Sequence, residues 1–91
     1  MAAKTITVEV DGHKIKVDQD KTKSWKALRL IHSIEEEEDT GRVIALMSFV
    51  EYVSGMGETE ILELLGGEDA SVESVVGFAT EFIGSCYPKN S

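Results

Sequence analysis

Residues 43–56, VIALMSFVEYVSGM, place the strongest constraint on what this chain can fold into. Advancing about 100° per residue from Val43 puts Leu46, Met47, Val50 and Val53 on one helical face. Ala45, Phe49, Tyr52 and Met56 carry the apolar arc round the side, so that only Arg42, Ser48 and Glu51 form a narrow polar strip. A helix apolar around most of its circumference must be covered on more than one side. Two arrangements meet that demand. Either other elements of the chain surround the helix, or the flank of Ala45, Phe49, Tyr52 and Met56 stays open and binds a partner. Phe78, off the regular face of the last helix, carries the same pair of readings: packing within the chain, or an aromatic anchor in an interface.

The elements available to cover this helix follow from local patterns. Ile6, Val8 and Val10 alternate with Thr7 and Glu9, and Ile15 and Val17 alternate with Lys14 and Lys16, the period of half-buried strands. Asp11-Gly12 between them supplies the positive φ angles of a tight hairpin turn. An isolated hairpin is marginal in water, so this one is expected to rest on helices or pair with another chain. Asp18 to Lys23 reads as a polar connection, with Thr22 or Ser24 as the cap of a first helix. From Trp25, the residues Ala27, Leu28, Leu30, Ile31 and Ile34 fit a helical face. Trp25 itself is expected to pin the hairpin against the helices.

The first helix runs into Glu35, Glu36, Glu37, Glu38 and Asp39, an acidic patch at the negative end of a helix dipole, where carboxylates are unfavourable. Early fraying or a basic partner would relieve it. Thr40 or Gly41 begins the second helix and Gly55 ends it. A short helix spans Glu60 to Leu65 before Gly66-Gly67. Ser71 caps the last helix, whose face is Val72, Val75, Val76, Ala79, Phe82, Ile83 and Cys86, and Pro88 stops it. The chain therefore reads as one domain over 1–91, mainly α with an N-terminal β-hairpin. The hairpin occupies 4–17, and a small helical bundle of three main helices plus one short helix occupies 24–87.

Charge narrows the partners. Nine basic against seventeen acidic residues give a net charge of -8, which repels phosphates and anionic lipid, so neither nucleic acid nor a membrane is expected. A basic or apolar protein is favoured instead. The single cysteine excludes an internal disulfide. No apolar run approaches the roughly twenty residues of a membrane span, and the N-terminus lacks the pattern of a signal peptide. The expected location is the cytoplasm.

Catalytic chemistry finds little purchase. Gly66-Gly67 lacks the lysine and hydroxyl residue of a phosphate loop. His13 and His32 lie on different elements, and Cys86 sits on a core stripe at a helix C-terminus, the wrong end to activate a thiol. Ser48, Ser54 and Ser74 have no histidine or elbow motif beside them. The acidic patch lacks the alternating ligands and glycine of a calcium loop. No catalytic residue, cofactor or metal is expected.

The Asp-Gly strand pair, SWKALRLI, the acidic break, VIALMSFVEYV with its glycine, EILELLGG, the Ser-Val-Glu helix start and the closing PKNS together resemble tail assembly chaperones. These belong to long-tailed phages and prophages of Gram-positive bacteria, and the likeness spans most of the chain. It implies a non-enzymatic, largely helical protein that coats the tape measure protein until tail tube protein polymerises around it. A groove on the flank of Phe49, Tyr52 and Met56 would hold the partner helix. Homo-oligomerisation along the tape measure is also implied, with the hairpin edge available to mediate it. So is a longer, frameshifted form, for which Pro88-Lys89-Asn90 admits slippery codons. The competing reading is an acidic cytosolic adaptor or regulator of a basic protein, bound through Glu35–Asp39.

Overall fold

The computed structural model describes residues 4–87. Alternation sets the first two elements, β1 (Thr5–Val10) and β2 (His13–Asp18). They pair antiparallel with Val8 opposite Ile15 and Val10 opposite His13. Successive side chains of a strand point to opposite faces, so Val8, Val10, Ile15 and Val17 share one buried face while Lys14, Lys16 and Glu9 face solvent. Asp11 at φ 51° and Gly12 at φ 82° make the turn, both in the left-handed region that a two-residue hairpin with matching twist needs.

The polar stretch after the hairpin is more ordered than a connection. It forms a single helical turn, α1 (Gln19–Thr22), because the Asp18 carboxylate accepts from the backbone N–H of Asp20 at 2.9 Å and of Lys21 at 3.3 Å. Of the two candidate caps for the next helix, α2 (Trp25–Glu36), Ser24 does the work: its hydroxyl oxygen accepts from the Ala27 N–H at 3.1 Å. The helix ends inside the acidic run, as its dipole disfavours further carboxylates. Glu37 and Glu38 alone separate it from α3 (Asp39–Ser54), which starts one residue before Thr40. The reversal uses a left-handed Asp39 at φ 51°, a conformation aspartate tolerates better than most residues. Gly55 at φ 75° terminates α3, donating its N–H to the Glu51 carbonyl at 2.9 Å.

The short helix α4 (Glu58–Leu64) begins two residues before Glu60, whose carboxylate reaches back to the Gly57 N–H at 3.0 Å. The last helix, α5 (Val72–Cys86), is capped by Ser71. Pro88, its expected stop, and the Pro88–Asn90 segment lie outside the described residues. No helix is long and apolar enough to cross a membrane among those residues.

α3 is the hub. It packs against α2, α5, β2, α1 and α4, while α5 also covers β1. The hairpin thus rests its apolar face on two helices, as a marginal two-stranded sheet must. Two expectations need correction here. Ala45, Phe49 and Phe78 form no open flank: Phe49 is 0% exposed and all three belong to the core. Tyr52 and Met56 are half-buried against it. The buried arc of α3 is Ala45, Leu46, Phe49, Val50 and Val53, because α5 and the hairpin demand burial on that side; the outward arc carries Ile44. Trp25, expected to pin the hairpin, is 71% exposed. It lies about 180° round α2 from Ile34 and far from Ala27, the two residues that turn inward.

These assignments separate in a stability measurement. Phe49→Ala is expected to cost about 3–5 kcal/mol in urea denaturation, whereas Ile44→Ala is expected to stay within about 0.5 kcal/mol of wild type.

Candidate protein-binding surfaces

Among the described residues, two surfaces carry large apolar side chains in the open, and they share no residue. The first lies where α3, α4 and α5 meet. Ile44 on α3 is 61% exposed and Val72 on α5 is 62% exposed. Val43, Ile44, Met47, Ser48, Leu62 and Val75 line a surface concavity of about 190 Å³, with Glu51 and Glu58 at its edge. Val72 stands one turn before Val75 on α5. A neighbouring hollow continues along α4 and is bordered by Glu58, Glu63 and Glu68. The result is an apolar concavity beside an acidic hollow.

The second surface is the outer side of α2. Leu28 is 56% exposed beside Trp25, and the indole borders three hollows. One of about 330 Å³ reaches Thr22, Ile31 and Tyr87. The other two, lined by Trp25, Arg29 and Ser33 with either His32 or Lys26, belong to α2 alone. Its N-terminal end is basic, with Lys21, Lys23, Lys26 and Arg29.

The basic N-terminal end of α2 and the acidic rim of the α3–α4–α5 concavity reflect a segregation of charge along the chain. Residues 4–29 hold seven of the nine basic side chains, whereas residues 35–81 hold thirteen of the seventeen acidic ones. The net value of -8 hides this division. Reading charge by segment would have exposed the basic α2 surface, which consideration of the whole chain missed.

The sequence-selected residues fall into different roles. Tyr52 joins α3 to the α1–α2 junction. The Ser24 hydroxyl spends its proton on the Lys21 carbonyl at 2.7 Å, so the Tyr52 hydroxyl donates to Ser24 at 2.9 Å. The ammonium groups of Lys21 and Lys26 stand 5.3 and 4.8 Å from the Tyr52 ring centroid, within cation–π range. Phe78 stacks on Phe82 with centroids 6.2 Å apart, inside the core. Glu35, Glu36, Glu37, Glu38 and Asp39 are all exposed. His13 and His32 sit on β2 and α2, and among the described residues no group of three or more His, Cys, Asp or Glu side chains converges to hold a metal ion.

Comparison with protein-family models, with curated proteins and with solved structures finds no match for this chain.

Cys86 is buried at the end of α5, and burial pushes its thiol up to about 11 from an ordinary 9.0. Beside it, burial and then the thiol's charge raise the Tyr87 hydroxyl. A thiol whose folded pKa is raised stabilises the fold fully below its unfolded pKa and loses that contribution as pH climbs through the folded value. Stability is therefore expected to hold up to about pH 9 and then to fall toward pH 11, with a shallower fall in Cys86→Ala; denaturation midpoints across that range check it. At pH 8 the native thiol is expected to react with iodoacetamide at least ~100-fold more slowly than in urea, since two pKa units remove that much thiolate.

Proposed function

We propose that this chain is a tail assembly chaperone of long-tailed phages or prophages of Gram-positive bacteria. In this reading it acts in the host cytoplasm by binding, without catalysis, and seats an apolar helix of the tape measure protein in the concavity between α3, α4 and α5. Tail tube protein displaces it as the tube polymerises. The observation that supports the reading most is the exposure of Ile44 in a concavity lined also by Val43, Met47, Leu62 and Val75. A partner helix presents side chains at i, i+3 or i+4, and i+7 to such a groove. Glu51 and Glu58 favour Lys or Arg at the flanks of that helix. The resemblance in element order supplies the identity of the partner class.

The groove residues differ from those expected from sequence. Phe49 and Phe78 belong to the core, and in this reading Ile44 with Leu62 takes the contact role. Co-expression with a long helical tape measure protein tests this. Wild type is expected to keep that protein soluble and to co-purify with it. Ile44→Asp, at a surface position that leaves the helical circular dichroism unchanged, is expected to lower recovery of the complex at least tenfold. Unchanged recovery would remove the groove from the reading.

The second reading, an acidic adaptor of a basic protein, rests on the full exposure of Glu35–Asp39. It differs in its salt response. Binding through that cluster collapses as screening shortens and is lost when its carboxylates become amides, while Ile44→Asp leaves it intact.

A further inference from the structure

The outer stripe of α2 is complementary to itself when a second copy runs in the opposite direction. Trp25, Arg29, His32 and Glu36 recur at spacings of four, three and four, with Leu28 beside them, on the side of the helix away from buried Ala27 and Ile34. Hollows of about 410 and 350 Å³ on this side are lined by α2 residues only, so no other described element of the chain covers it. The charges lie in two blocks. Lys26 and Arg29 belong to the N-terminal half, Glu35 and Glu36 to the C-terminal end, and Glu37 and Glu38 follow.

We propose that two copies of this chain associate through an antiparallel pairing of their α2 helices about a two-fold axis. A parallel pairing sets like charges side by side. The antiparallel one brings Arg29 of each copy to Glu36 of the other, and the indole of Trp25 over the methylenes of the opposing Glu36. The indole N–H is a donor and the carboxylate an acceptor, so the polar edge of Trp25 is met as well. The two helix dipoles also oppose one another. The carboxylates at the C-terminus of α2, unfavourable within one chain, gain basic neighbours from the other.

An isologous contact uses every residue twice, so one substitution acts at two places. The helix is about 18 Å long, which makes a small interface and a dimer that responds to concentration and salt. The concavity beside Ile44 is left open, and the pairing stands independently of the tape measure reading.

Sedimentation of the full chain from about 10 µM to about 1 mM, in about 50 mM and about 500 mM salt, tests the pairing. Trp25 is the chain's single tryptophan and reports the contact directly. A monomer–dimer equilibrium is expected at low salt, with a blue shift of Trp25 emission as the dimer forms and association at least tenfold weaker at high salt. Arg29→Glu and Glu36→Arg are each expected to weaken association at least tenfold. Both positions are exposed on α2, and Glu36→Arg also suits the negative end of the helix dipole, so neither should cost helicity. Arg29→Glu/Glu36→Arg is expected to dimerise again with itself but not with wild type. A chain monomeric throughout overturns the proposal. So does a dimer whose Trp25 emission stays solvent-like, a single charge reversal without effect, or a double variant that stays dissociated.

Discussion

The burial of α3 governs the arrangement of everything else. Sixteen residues that carry only five ionisable or hydroxyl-bearing side chains before Tyr52 have no stable existence as a surface helix; they need neighbours on most sides. The hairpin, α1, α2, α4 and α5 all supply contact, and Phe49, Val50 and Val53 disappear from solvent as a result. The hairpin gains as much as it provides, since a two-stranded sheet has no independent stability. Packing on α3 stops short at Ile44, beside the concavity that α3, α4 and α5 residues line. That the concavity is apolar inside and acidic at its rim follows from which residues remain when the inward arc has been assigned.

Much of the architecture was legible because it is written in short-range chemistry. Strict alternation around Asp11-Gly12 specifies a hairpin through side-chain period and turn geometry, both local. Ser24, Gly55 and Ser71 mark helix ends within a residue because each satisfies backbone groups beside it. The rotation of α3 about its own axis was not legible. When apolar residues surround a helix, no face is preferred by the helix alone, and the neighbours decide. Hence the sequence leaves Phe49 either core or open flank, and the neighbours make it core while Ile44 is exposed. Trp25, expected against the hairpin, stands opposite Ile34 on α2 and is exposed, because Ala27 and Ile34 set the inward face. The one-turn α1 was missed because a single Asp18 cap is weak evidence in a stretch without apolar periodicity.

The two open apolar surfaces differ in the charges around them, and charge decides what each admits. Lysine and arginine beside Trp25 repel the kind of partner that glutamate beside Ile44 attracts. On the two proposed readings, one small domain would keep two contacts distinct without a large specific interface, at the cost of sensitivity to ionic strength.

The packing of β1 against α5 joins the first strand to the last helix, and the Tyr87 hydroxyl donates to the Thr22 carbonyl across a sequence separation of 65 residues. On the ribosome the hairpin emerges long before the helix that covers it. Val8 and Val10 wait uncovered through most of translation, so the domain closes as a unit only after α5 has cleared the exit tunnel. Chains halted before residue 72 lack the α5 cover on β1 and α3, leaving that apolar surface open to aggregation.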